Sequence, residues 1–493
     1  MKTLKAFLAL ALVLALPVLA MAQDAPTAPG LTNNPSLDVV VTNPRPVLSF
    51  FNAHGGQSPL TYEMQLSPNP EFSGPGLISY QGLAQEPGRV SAKRVAVGDE
   101  LKDKSRYWWR VRAVDAAGRK GPWAKTRFFV DTASDDRFMD LVRVYPEQIL
   151  ASSGFNPENV YDLDDPGQST FWQSAPFHEE DQWLVLDLGQ IRTISRIWML
   201  SAISGKNGWL KDFAWQTSVD GVNWQEVPGG RLANNDTFRN ILDIAPTTAR
   251  FWRLYIRDWH GYCAQINALC LYSPGKPPVP TPPPGKYVLV VGDQMNGYTF
   301  TQLARRIRSL GLGLQVLQVP HYQMSLELVR SLKPQPVAII FSGNNAGYQN
   351  LPMFEYNGNY EIIRECKLPI LGICCGHQLT AMAYGLTFAR SMGWSDITAL
   401  DPPPWKHDIA ILKKDPLFQG VPDPFVAPEV HGWAVYTLPA HYEALARSKY
   451  LQSLRRTDKM LYGVQFHPEI DAPYNQAQAV LVNFLKMALQ KAP

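Results

Sequence analysis

Residues 273–286 read SPGKPPVPTPPPGK, and this run divides the chain into two unlike halves. Each proline fixes φ and removes a backbone donor, so no helix or central strand can pass through the segment. It reads as a proline-rich linker over 274–285, an extended and semi-rigid spacer. At about 3.1 Å per residue it would hold its neighbours about 35–40 Å apart. Before it the chain alternates apolar and polar residues like β-strands. After it, continuous apolar runs alternate with amphipathic stretches. The expected fold class is therefore multidomain: two all-β sandwiches followed by an α/β domain. The length of 493 residues agrees, being too great for one ordinary domain. A formal net charge of +3 is close to neutral for this size and gives no reason to invoke nucleic acid.

The N-terminus has the grammar of an export signal. Lys2 and Lys5 precede the apolar run Ala6 to Leu16, Pro17 breaks that run, and Ala20-Met21-Ala22 supplies small residues for cleavage. Residues 1–22 are thus expected to be a cleaved secretory signal, placing the protein outside the cell, at its surface or in a periplasm. An uncleaved anchor is the alternative. No later stretch is long and apolar enough for a membrane span. Five cysteines, Cys263, Cys270, Cys366, Cys374 and Cys375, are too few for a disulfide scaffold, and the odd number leaves at least one thiol unbridged. Cys263 and Cys270 are near enough in sequence to pair, or else are buried thiols.

Over 30–132, strands such as Tyr62-Glu63-Met64-Gln65-Leu66 alternate cleanly, and Tyr107, Trp109, Val111 and Ala113 share one face with Arg110 and Arg112 on the other. The strings RPVLSF, LTYEMQLS and YWWRVRAVDAAGRKGPWA resemble a bacterial fibronectin type III domain. Residues 135–273 are strand-rich and dense in tryptophan. The strings ILASSGFNPENVYDLDDPGQSTFW, QWLVLDLGQIRTISRIWML, FAWQTSVDGVNWQEV and ARFWRLYI resemble a coagulation factor 5/8 type C (discoidin-like) domain. Trp172, Trp183, Asp187, Gly189, Ser218, Asp220, Gly221, Trp224, Arg250 and Arg253 stand where that pattern expects them. The resemblance implies a jelly-roll sandwich whose loops bind glycans, lipids or proteins, hence an extracellular glycan or cell-surface partner. Trp259, His260 and Tyr262 are its candidate glycan-stacking residues, core filling being the alternative. Asp162, Asp164 and Thr170 are similar to a calcium-binding turn, but Ala268 stands where a ligating Glu is usual, so no metal is assigned.

In 286–493 the candidate chemistry appears. Tyr287 to Val291, Gln315 to Val319, Val337 to Phe341 and Leu368 to Ile373 read as buried parallel strands, with an amphipathic helix over Thr299 to Leu310. At the last of these strands stands Gly372-Ile373-Cys374-Cys375-Gly376-His377-Gln378. Glycines two positions either side of a cysteine suit a sharp elbow that lifts the thiol above the sheet at a helix N-terminus. The Cys375 amide would then face a developing oxyanion. Downstream, Gly463-Val464-Gln465-Phe466-His467-Pro468-Glu469 carries a histidine to the same sheet edge with a carboxylate two residues on. A cysteine nucleophile, a histidine base and an orienting carboxylate make an acyl-transfer set.

GICCGHQ and GVQFHPE resemble the two signature motifs of class I glutamine amidotransferases. The resemblance implies Cys374 as nucleophile, His467 as base and Glu469 as its partner, acting on glutamine or a γ-glutamyl amide. It also implies that Gly343, Gln378 and His431 line the substrate site, and that Asn344 and Cys375 supply oxyanion amides. Where the family has Ser-Gly-Gly-Pro, this chain has Ser342-Gly343-Asn344-Asn345; Asn344 can still present its amide, while its side chain would narrow the pocket. Cys375 beside the nucleophile suggests a redox pair. No P-loop lysine motif and no G-x-G-x-x-G marks a synthetase or cofactor site, so no cofactor is expected. The expectation is a secreted, stand-alone amidohydrolase targeted by its sandwiches. The alternative is a non-catalytic surface or carbohydrate-binding protein with a drifted amidotransferase-like domain.

Overall fold

The computed structural model describes residues 25–491 apart from 32–38, 42–43, 87–89, 104, 131–139, 143, 145, 162–170, 178–179, 203–204, 277–278, 294–297, 345–350, 385–388, 391–406, 436–437 and 439–440. The leader at 1–22 and the turn with Asp162, Asp164 and Thr170 lie outside the described residues.

In the first sandwich, strands Thr61–Ser67 and Ser105–Val114 bury every second side chain over most of their length. They pair antiparallel within a five-stranded sheet, Tyr62 opposite Ala113 and Leu66 opposite Trp109. A three-stranded sheet covers that apolar face, with the Phe50 ring 4.7 Å from that of Tyr62. On the polar face, the Arg110 and Arg112 guanidinium groups lie over the Trp123 ring.

The second sandwich is built on two long strands, Gln182–Ser201 and Arg239–Trp259, in an eight-stranded sheet. Register shifts between Asp187 and Arg192 and between Ile194 and Arg196 bend them so that each serves both layers. Asp187 takes both Arg250 bonds at 2.8 Å beside the first bend. Trp172, Trp198, Trp215 and Trp252 are fully buried, so most of the tryptophan density fills the interior.

The third unit is a nine-stranded sheet. Gln315–Pro320, Tyr287–Gly292, Ala338–Phe341, Ile370–Ile373 and Leu461–Val464 are parallel neighbours in that order. Beyond Leu461–Val464 the sheet continues antiparallel through Leu451–Arg456, Tyr442–Arg447, Asp408–Ile411 and Phe425–Val426. The parallel half matches the expected strands; the antiparallel half is an addition, made of strands whose apolar pattern is less continuous. Alternation sorts the parallel strands' side chains. Val288 and Val290 face helices Tyr298–Ser309 and Gln478–Lys491, while Leu289 and Val291 face Leu326–Ser331, Asn357–Glu365 and Cys375–Met382.

The proline run does not hold the domains apart. Strand Gln265–Ser273 brings Tyr272 and Cys270, with Trp198 and Leu200, against Tyr322 and Phe354 of the α/β unit in one buried cluster. Lys276 pairs with Glu327 at 2.8 Å. An extended run sets the length of its path but not its direction, and Gly275 and Gly285, at φ 130° and 83°, let the chain turn at its ends. The first sandwich also touches the third unit, Arg94 donating to the Tyr384 carbonyl at 2.6 Å. No described helix is long and apolar enough to cross a membrane.

Candidate active site

Strand Ile370–Ile373 is buried throughout and ends at Cys374, whose φ of 54° lies where side chains rarely sit. There the chain turns into helix Cys375–Met382. Three main-chain bonds hold the turn: Cys374 N–H to the Val464 carbonyl at 2.8 Å, Gly376 N–H to Ser342 at 3.0 Å, and Gln378 N–H to Cys374 at 3.2 Å. Both flanking glycines are required by close approach. A Cβ at 372 would stand 2.2 Å from the Gly376 carbonyl oxygen, and one at 376 would stand 2.4 Å from that of Phe341.

Because Leu461–Val464 lies parallel to the cysteine strand, residues just beyond it emerge at the same sheet edge. His467 is fixed by its N–H to Pro428 at 3.0 Å and by Asn475 Nδ2 donating to its carbonyl at 3.0 Å. Its Nδ1 stands 2.7 Å from Glu469 Oε1, and its ring lies beside Cys374 under Gly343. Burial alone would lower the imidazole's pKa; the Glu469 carboxylate and the Cys374 sulfur outweigh it and hold it well above its usual value. The other histidine of the cysteine motif behaves oppositely. His377 is wholly buried and pushed down to about 3 by desolvation, so it stays neutral.

Gly343 closes the third side. A Cβ there would lie 3.2 Å from His467 Cε1 and 3.4 Å from Cys374 Cβ, so the loop passes directly over Cys374 and His467. The Asn344 carboxamide donates to the Asp293 carbonyl at 2.6 Å and to the Tyr356 hydroxyl at 3.0 Å. It is tied back by these bonds instead of projecting to narrow the pocket, which corrects that expectation.

The redox-pair expectation also changes. Cys374 packs in the core on one side of the sheet and Cys375 in the core on the other, because successive residues at a strand end point oppositely. None of the five cysteines forms a disulfide. Cys263 accepts from Gln173 at 2.6 Å, and Cys270 is wholly buried, its thiol pushed up by desolvation and the nearby Glu355.

Gln378 and His431 sit close by, with their groups engaged. Gln378 Nε2 donates to the Trp433 carbonyl at 2.6 Å and to Gln465 at 3.0 Å. His431 bridges the Trp433 carbonyl at 3.0 Å and Glu429 at 3.3 Å and is buried, so it braces the segment lining the site. Of that segment, the sequence reading names His431 and not the main chain beside it. Its Val430 carbonyl lies 3.5 Å from the Cys374 sulfur, and main-chain groups leave no signature in side-chain spacing. Glu429 was missed too. Burial would raise its carboxyl, but His407 and His431 on either side hold it below the usual range.

In the second sandwich, Tyr262 is the most exposed of the three glycan candidates, and Trp259 and His260 are half-buried. Trp259 ends its strand and packs on the core, while the main chain of His260 is bonded to Gly208 and Trp209. Tyr262 is 45% exposed and lies 5.7 Å from the ring of Phe177, itself 82% exposed and not anticipated. Ala268 is buried at the junction with the α/β unit.

Comparison with known proteins covers each unit. Residues 292–487 match the family described as glutamine amidotransferase class-I, and 146–269 match the F5/8 type C domain. Residues 34–132 match the Rha78A-like N-terminal immunoglobulin domain. The first unit is accordingly an immunoglobulin-like sandwich, broader than the fibronectin type III expectation. A subunit of the glutamine-hydrolyzing GMP synthase of Pyrococcus abyssi is 31% identical over 206 residues, covering 41% of this chain and 98% of that protein. Its counterpart in Methanocaldococcus jannaschii is 38% identical over 129 residues, covering 26% and 64%. The crystal structure of a putative GMP synthase subunit from Thermoplasma acidophilum is 22% identical, covering 42% of this chain and 94% of that one, with a TM-score of 0.33. The family 32 CBM from C. perfringens NanJ is 19% identical, covering 27% and 100%, with a TM-score of 0.23.

Proposed function

Since the chain belongs to the class I glutamine amidotransferase family, we propose that residues 286–493 hydrolyse the side-chain amide of glutamine, or a γ-glutamyl amide, through a thioester on Cys374. The observation that carries this is the strained Cys374 elbow facing a His467 held charged by Glu469 at 2.7 Å. The Cys374 thiolate attacks the amide carbon, and the carbonyl electron pair moves onto oxygen. The N–H groups of Cys375 and Asn344 receive that oxyanion. His467 gives its proton to the departing nitrogen, so ammonia or an amine leaves and the γ-glutamyl thioester remains. Water then attacks the thioester as His467 takes its proton, releasing the acid and restoring the thiolate. Glu469 keeps the imidazole oriented and stabilises its charged form.

In this reading the cleaved leader at 1–22 exports the enzyme, 30–132 and 135–273 are accessory sandwiches, and 274–285 joins them to the catalytic domain. The paired rings of Phe177 and Tyr262 suit stacking on an extracellular saccharide; loss of binding on a glycan array in Tyr262→Ala is the expected check, and undiminished binding would remove that surface from consideration. The catalytic reading is tested by ammonia release from L-glutamine under reducing conditions. Turnover abolished in Cys374→Ser supports it; a wild-type protein that neither releases ammonia nor is alkylated at Cys374 by a glutamine-like chloromethyl ketone sinks it.

A further inference from the structure

The junction between the second sandwich and the α/β unit reaches, by a short series of buried contacts, the loop over Cys374. Tyr272, on the last sandwich strand, donates its hydroxyl to Glu355 Oε1 at 2.6 Å. Glu355 Oε2 lies 2.7 Å from His321 Nε2, and His321 Nδ1 lies 3.2 Å from the Gly292 carbonyl oxygen. The His321 ring stacks on Tyr356 at 4.4 Å with 14° between planes. Tyr356 in turn accepts from Asn344 Nδ2 at 3.0 Å, and its own hydroxyl reaches the Asp293 carbonyl at 3.3 Å.

Phe354, Glu355 and Tyr356 all lie in one turn, Met353–Tyr356, which is buried throughout. Its outer side belongs to the sandwich: Phe354 sits edge-on to Tyr272 at 5.1 Å and beneath the Arg196 guanidinium at 4.6 Å. Its inner side carries the Tyr356 hydroxyl to the loop. Gly358 then packs so tightly that a Cβ would meet the Met324 carbonyl oxygen at 1.8 Å, which leaves the start of the next helix little room to shift.

We propose that Tyr272 of the second sandwich is a positioning residue for the catalytic domain, acting through Glu355 and the 353–356 turn to hold Asn344 where its amide can serve the oxyanion. The sandwich is then a structural part of the active site as well as an accessory module. This rests on the reading of Ser342–Asn344 as the oxyanion loop. A buried hydroxyl-to-carboxylate bond suits such a role, because removing one partner leaves the other unsatisfied and the turn free to relax. Two side chains from different units must meet for the loop to be held, so the catalytic geometry depends on domain docking.

The test compares the full-length protein with Tyr272→Phe, which keeps the ring against Phe354 and removes only the hydroxyl. Loss of one oxyanion donor costs about 10²–10³ in kcat, so misplacing one should lower kcat by about tenfold and leave KM within about twofold. Glu355→Gln, whose side-chain carbonyl still accepts from Tyr272, should retain most of the turnover, and Glu355→Leu should not. Tyr356→Phe, which removes the Asn344 anchor inside the α/β unit, should reproduce the kcat loss even if Tyr272→Phe folds poorly. Wild-type kcat in either tyrosine variant, with turnover still lost in Cys374→Ser, overturns the inference while the catalytic reading stands. If the wild type releases no ammonia from glutamine, no kcat is available. The positioning role is then read from the rate of Cys374 modification by the glutamine-like chloromethyl ketone relative to iodoacetamide, which forms no oxyanion. A lower ratio in Tyr272→Phe supports the role, and an unchanged ratio overturns it.

Discussion

Replacing Glu469 by glutamine tests the charge logic of the site with little change in shape. His467 and Glu469 are 6% and 7% exposed, so water has little access to stand in for the lost carboxylate. The bond at 2.7 Å would persist as a neutral hydrogen bond, its carbonyl oxygen still accepting from Nδ1. What disappears is the charge. A hydrogen bond to a charged group contributes about 1.5–3 kcal/mol net, and a neutral one about 1 kcal/mol less. At about 1.4 kcal/mol per decade, kcat/KM should fall by about tenfold, reaching about a hundredfold if the amide turns its NH₂ towards the ring. The pH dependence gives a second reading. In the wild type, Glu469 and Cys374 outweigh burial and keep the imidazolium to a pH well above its ordinary range. Without the carboxylate, burial pulls the other way, so the alkaline limb of the kcat/KM profile should move to lower pH. Ammonia release from glutamine, measured across pH for both proteins, checks both points. A variant within about twofold of the wild type, with its alkaline limb unmoved, would refute the assignment of Glu469 as the orienting charge.

Two further outcomes are expected. In Gly343→Ala, the methyl would meet His467 Cε1 at 3.2 Å and the Cys374 sulfur at 3.7 Å, forcing the pair apart by a few tenths of an ångström. Since about 1 Å of misplacement costs about 10²-fold, kcat should drop about tenfold while the thermal midpoint barely moves; full turnover would show that the loop does not press on the pair. Asp293 is wholly buried, neither carboxylate oxygen has a hydrogen-bond partner among the described residues, and burial pushes its pKa up to about 8. The folded state therefore keeps a proton that the unfolded chain has lost, so stability attributable to this group falls as pH rises from about 4 to about 8. Asp293→Asn cannot lose that proton. It should match the wild type in thermal midpoint near pH 4 and exceed it increasingly towards pH 8, and a constant difference would count against the buried acid.

The legible parts of this protein were those written in local pattern. Strict alternation in Ser105–Val114 and the apolar run Tyr287–Gly292 each named their element, because one face or both must leave water. Gly372 and Gly376 announced the elbow, since no Cβ fits where other backbone passes. His467 and Glu469, two residues apart, announced their pairing. The illegible parts involve neighbours distant in sequence. Phe177 joined Tyr262 through loops whose approach no spacing encodes, and the Val430 carbonyl reached Cys374 as main chain, which every residue carries. The proline run pointed towards a separate sandwich; instead, the last sandwich strand, with Ala268, Cys270 and Tyr272, is covered at the domain junction.

From the sequence alone follow the order of the units, the break at the prolines, and the cysteine, histidine and carboxylate brought to the ends of adjacent strands. Those depend on side-chain period and on residue types that only one local geometry accepts. Only the tertiary structure decided that Cys375 turns its thiol away from Cys374, that Asn344 is tied back to Tyr356, and that the second sandwich packs Tyr272 onto Glu355. Each of those is a choice between faces or between partners far apart along the chain. It is settled by which apolar surfaces exclude water together and which buried polar groups must then be satisfied.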